Sequence, residues 1–87
     1  MDRYVHYDAQ RDRIAFRLAG ETGEWVDAEV TGEALEDAYG CGAGAQARLR
    51  AFAEHEHHIR DVAEQLLDEG RRPRVTSEDL APGRSAA

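Results

Sequence analysis

The stretch from Ala45 to Glu69 constrains this chain most, because its apolar residues repeat with a helical period. At about 100° per residue, Phe52, Ile59, Ala63 and Leu66 share one side, flanked by Leu49, Val62 and Leu67. Gly70 supplies a left-handed stop, and Arg71 and Arg72 lie beside the negative end of the helix dipole. A straight helix of this length measures roughly 37 Å at 1.5 Å per residue. A compact domain of 87 residues is only about 30 Å across. The helix must therefore overhang, kink, or pack its end on another subunit.

The first third reads as strands. "RYVHYD" is aromatic and β-branched and stops at the polar turn "DAQRD". "RIAFRLA" places Ile14, Phe16 and Leu18 on one face, and "WVDAEV" does the same with Val26, Ala28 and Val30. "GETGE" between them has the length of a hairpin loop. Bringing the two apolar faces together requires Phe16 opposite Ala28, which sets Arg17 opposite Asp27 on the other face. Thr31 suits a helix N-cap, "GEALEDAY" a short helix, and Gly40 its left-handed end. "RVTSEDL" is expected to return to the sheet as a short strand.

The resulting order is three strands, a short helix, a long helix and a last strand. It predicts an α+β fold: an antiparallel sheet of three N-terminal strands and one C-terminal strand, with both helices on one face. One domain over residues 1–80 is expected, followed by a disordered tail over 81–87. The absence of any apolar run near 20 residues argues against a membrane span. With a single cysteine, Cys41, and no leader pattern, a reduced, cytoplasmic protein is expected.

These segments resemble a bacterial family known only as domain of unknown function 1488. The resemblance covers roughly residues 12–80. It rests on "IAF", "VDAEVTGEALEDAYG", "LRAFAEHEHHIRDVAEQLLDEG" and "VTSEDL". Where members of that family tend to carry a polar residue followed by arginine, this chain carries His55 and Glu56. The resemblance implies a small α+β fold with paired helices over a sheet, and it supplies no activity, substrate or site.

Charge narrows the partners. The formal net charge is −7, with ten acids and four arginines in residues 1–44 against eight acids and seven arginines in residues 45–87. An acidic chain of this kind repels phosphate backbones. Arg71, Arg72 and Arg74 form one short cluster without interleaved aromatics, and Arg48 and Arg50 are a thin set for reading bases. Nucleic acid is therefore not an expected partner. The chain contains no G-x-x-x-x-G-K and no G-x-S-x-G, and its carboxylates fall on outer faces, so no enzymatic activity and no cofactor is expected.

Three features stand out as candidate chemistry. His55 and His58 are three residues apart on the long helix and share a flank, whereas His57 points to nearly the opposite side. Two ligands fall short of the four that structural zinc requires, and Cys41 lies fourteen residues before His55. A structural role is the preferred reading, with His57–Asp61, Arg50–Glu54 and Glu56–Arg60 laced at i,i+4 spacing. Cys41 stands between glycines ahead of a helix, a placement that suits a redox-responsive thiol, but no histidine is near as a base. Glu56 lies inside the apolar arc, where a lone charge is seldom left buried. Glu56, Leu49 and Leu67 therefore mark the expected contact surface of an interaction or accessory module, acting as a homodimer or with an unidentified protein. The alternative is a metal- or redox-responsive regulator built on His55, His58 or Cys41.

Overall fold

The computed structural model describes residues 4–20 and 22–80. Its elements run β1 (Val5–Asp8), β2 (Arg13–Ala19), β3 (Trp25–Thr31), α1 (Gly32–Tyr39), α2 (Ala45–Glu54), α3 (Glu56–Asp68), β4 (Arg74–Val75) and α4 (Ser77–Leu80). The four strands form one sheet in the order β1-β2-β3-β4. The fold is α+β, with the tail of residues 81–87 outside the described part.

Alternation sets the sheet as its pattern requires. Phe16 pairs with Ala28 and Arg17 with Asp27, so Ile14, Phe16, Leu18, Ala28 and Val30 all face one side and are buried. Val5 and Tyr7 join that side opposite Phe16 and Ile14. The core closes over it with Leu35 of α1, Ala51 and Phe52 of α2, Ile59, Val62, Ala63 and Leu66 of α3, and Val75 of β4. Phe16 and Phe52 meet with ring centroids 5.2 Å apart at 46°. A tilted aromatic pair of this kind adds about 0.5–1.5 kcal/mol beyond the area it buries.

The caps match their residues. Thr31 accepts the Ala34 N–H at 3.0 Å to start α1, and Gly40 ends it at φ 67° with its N–H on the Glu36 carbonyl. Gly70, at φ 78°, ends α3 with its N–H on the Leu67 carbonyl and the Arg71 N–H on that of Leu66. That pair of bonds is the Schellman arrangement.

One open choice is settled and two expectations are overturned. The long helix is two helices, because His55 leaves the helical region at φ −121°, ψ 22°. Its N–H still reaches the Ala51 and Phe52 carbonyls, and its carbonyl still accepts from Ile59. The chain thus turns a corner while losing little hydrogen bonding. The molecule measures 36 × 33 × 21 Å with a radius of gyration of 12.3 Å, so a straight helix of that length would span its whole long axis. Of the three ways to fit it, the chain kinks. Second, β4 pairs with β3 in parallel, through Glu29–Arg74 and Val30–Val75. The chain leaves the end of β3, crosses through the helices and re-enters from the opposite end, as a crossover requires. Third, the strand expected over "RVTSEDL" lasts two residues before α4 begins. The Asp79 carboxylate accepts both the N–H and the hydroxyl of Thr76 at 3.0 Å. A carboxylate three residues beyond a threonine secures the start of a helix, which overrides the strand.

One close approach joins the layers. A Cβ on Gly32 would stand 2.4 Å from the Asp12 carboxylate. The Gly32 N–H donates to the Asp12 carbonyl at 2.7 Å, which brings the start of α1 onto the β1–β2 turn. Gly32→Ala is expected to destabilise the chain by about 1–3 kcal/mol, as overpacking does. Urea unfolding checks this, and the cost should largely vanish in an Asp12→Ala background, where the clashing carboxylate is gone.

Candidate functional site

The polar centre of the molecule is Arg48, which is 4% exposed. Its Nε and Nη2 donate side-on to the two Asp12 carboxylate oxygens at 3.1 and 2.8 Å. Its Nη1 lies 2.7 Å from Glu36 Oε2 and 3.1 Å from the Gly42 carbonyl, with Cys41 Sγ at 3.5 Å. Asp12 also accepts from the Tyr7 hydroxyl at 2.7 Å. One guanidinium thereby ties together the β1–β2 turn, the end of α1, the connector after it and the first turns of α2.

The electrostatics follow from those bonds. The Arg48 guanidinium, then the Tyr7 hydroxyl, hold the Asp12 carboxyl below the ordinary carboxylate range, against a smaller opposing effect of burial. The hydrogen bond to Asp12 in turn raises the Tyr7 phenol and is the largest cause of the raised Arg48 value. Asp12 sits at φ 52°, a left-handed conformation that aspartate tolerates better than most residues. The alignment of Arg48 with Phe52 and Ile59 on the apolar side of the helix is the sequence signal for its burial.

The sequence-predicted residues disperse. His57 is exposed, with Nε2 3.5 Å from Asp61. His58 is exposed at a groove of about 400 Å³ along α3 that Asp61, Glu64, Asp68 and Asp79 also line. His55 turns the other way and stacks flat on Tyr39, ring centroids 3.8 Å apart. Among the described residues, no three histidine, cysteine, aspartate or glutamate side chains are grouped to hold a metal ion. Cys41 is a half-buried free thiol. With Tyr39 stacked on His55 and the connector after it reaching Arg48, Cys41 and His55 both line a hollow of about 280 Å³ beside α2.

Glu56 does face an arginine, from its own helix: Arg60 Nε reaches Glu56 Oε2 at 2.7 Å. Arg60 also donates to the Arg17 carbonyl at 2.6 Å and lies 5.3 Å from the centre of the Phe16 ring. Leu49 and Leu67 are half-buried and pack on the core. The arginine cluster separates: Arg71 lies 3.5 Å from Glu69, Arg74 3.1 Å from Glu29, and Arg72 borders the sheet.

The surface that sequence reasoning missed is the outer face of the sheet. Opposite the core it displays Asp8 beside Arg13, Ala15 beside Glu29, Arg17 beside Asp27, and Ala19 beside Trp25. Trp25 is 64% exposed, and Tyr4, at 44%, carries the Arg17 guanidinium 4.4 Å from its ring centre. A shallow depression of about 450 Å³ lies here, bordered by Tyr4, Ala15, Arg17, Asp27, Glu29 and Arg72.

The model of a family described as protein of unknown function (DUF1488) matches residues 1–77. The chain belongs to that family. The DUF1488 match takes in all four strands and the first three helices, including β1, and ends at the first residue of α4. Asp12, Glu36 and Arg48 therefore all fall within the DUF1488 domain, as does the outer sheet face. The chain matches no curated protein and no solved structure. Among the described residues of this domain, no helix is long and apolar enough to cross a membrane.

The Asp12–Arg48 pair has a pH signature. A carboxyl whose folded value is depressed contributes stability above its unfolded value, near 3.9, and loses it as pH falls toward the folded one. Asp12→Asn is expected to lower stability at pH 7 by about 1–2 kcal/mol, less than a fully buried pair, because the Asp12 side chain is 45% exposed. The gap between variant and parent should close as pH falls below about 4. Denaturant titrations of both proteins from pH 7 to pH 2.5 check it.

Proposed function

We propose that this chain is a non-enzymatic interaction module of the cytoplasm whose contact surface is the outer face of its sheet. The observation that carries the reading is Trp25, a large aromatic 64% exposed beside Ala19 on a face opposite the helix-covered core. Aromatic side chains are enriched where proteins bind one another, and exposing one on a rigid strand costs little ordering at the moment of contact. Leu49, Glu56 and Leu67 are already engaged within the chain, which favours the sheet over the helix stripe as the contact surface.

A photo-crosslinking side chain installed at Trp25, and separately at exposed Asp37 on α1, tests the reading inside cells. Discrete crosslinked protein species are expected from position 25 and none from position 37. Equal or absent crosslinking at the two positions would remove the sheet face as a contact surface.

A second reading is a thiol-responsive regulator, favoured by the Cys41 sulfur 3.5 Å from the Arg48 guanidinium that holds the turn, α1 and α2 together. Modification of Cys41 by a bulky thiol reagent would then lower the melting temperature of the parent and leave Cys41→Ser unchanged. Equal melting before and after complete labelling would dismiss it.

A further inference from the structure

We infer that the occupant of the outer sheet face is a second copy of this chain, packed face to face about a two-fold axis parallel to the strands and running between β2 and β3. This rests on the reading of that face as a contact surface. The argument is one of symmetry. Such an axis lays β2 of one copy over β3 of the other and keeps each cross-strand row at its own height. Every row whose two members differ in a complementary way then meets its own reversed image. Arg17 and Asp27 form one such row, their side chains already 3.4 Å apart. Across the axis Arg17 faces the partner's Asp27 and Asp27 the partner's Arg17, closing a square of alternating charge. Ala19 and Trp25 form the next row. There each Trp25 rests over the small Ala19 of the other copy, which suits the roughly 10 Å separation of stacked sheets. An axis across the strands would instead lay β2 on β2, bringing a strand with Arg13 and Arg17 against its own image. Charge thus selects the axis.

Net charge selects the partner. The chain carries −7, and two such molecules repel over most of their surfaces. On the outer face, Asp8, Asp27 and Glu29 stand against Arg13, Arg17, Arg74 and, at its border, Arg72, so the excess acid lies elsewhere. This is the surface on which two copies approach without repulsion. Aligned sheets cross at about 30°, so the match is closest beside the axis, where both rows lie. Four short strands present a face of roughly 20 by 24 Å, below the ~800 Å² per partner of a standard interface. The dimer is accordingly reversible and concentration-dependent.

Sedimentation velocity on the full chain over a concentration series tests this with Arg17→Asp, Asp27→Arg, Ala19→Arg and an equimolar mixture of the first two. Each single change puts like charges, or bulk, across the axis and should weaken the dimer roughly 100-fold or more. Mixing Arg17→Asp with Asp27→Arg restores unlike charges between copies, and only between copies, so the mixture should dimerise again. The Arg17 and Asp27 side chains are 45% and 89% exposed, so both variants should fold, which circular dichroism verifies. Ala19→Arg reaches the same interface without touching the ion pair. A parent that stays monomeric to about 1 mM, a dimer indifferent to all three changes, or a mixture that fails to recover would overturn the inference. Crosslinking from position 25 to a different protein would leave the contact surface standing and remove the second copy from it. Absence of crosslinks at that position would remove both.

Discussion

The buried guanidinium of Arg48 is the contact on which the arrangement of this domain depends. Hydrophobic burial supplies most of the drive to fold, but it has no direction, and the apolar side of α2 could slide along the sheet at little cost. Arg48 removes that freedom by demanding five acceptors at once from three separate segments. Its burial is tolerable because the carboxylates that neutralise it are not themselves buried. Asp12 and Glu36 are 45% and 44% exposed, so water still reaches both carboxylates while one ion bears most of the desolvation. Such a pair contributes less to overall stability than to the choice of one packing among several.

Much of this architecture was legible in the residues. The alternation of "RIAFRLA" and "WVDAEV" has one register that pairs all three apolar residues of each strand, and it gives Phe16–Ala28 and Arg17–Asp27. Thr31, Gly40 and Gly70 act where their backbone preferences place them. The break at His55 was not legible, because the stripe through Arg48, Ala51, Phe52, Ile59, Val62, Ala63 and Leu66 keeps one phase across it. A corner that preserves phase leaves no trace in periodicity, and the need for one came only from the size of the molecule. The parallel direction of β4 is set by the crossover through the helices, about which two residues say nothing. The Thr76–Asp79 cap was readable from its spacing and was outweighed by an apparent strand.

Charged residues inside a helical stripe gave two different answers. Glu56 and Arg48 share the same anomaly in sequence, a charge in phase with apolar neighbours. Glu56 meets Arg60 one turn along, with its side chain 16% exposed, whereas Arg48 finds Asp12 thirty-six positions away. Local spacing reveals the first kind of partner and is blind to the second. The outer sheet face was missed for a related reason. Alternation identifies which residues point away from a core, and only the placement of the helices shows that no described helix covers this side.

The sheet is also uneven from side to side, its strands running four, seven, seven and two residues long. Both borders are shorter than the centre, with His6 and Asp8 along one and Arg74 at the other. A long flat border is a template onto which further chains add without limit, the route by which sheets grow into fibrils. Here each border ends within a few residues, and β4 turns straight into α4. Neither border of the described sheet therefore offers the long template on which filaments grow, even though no described helix covers its outer face.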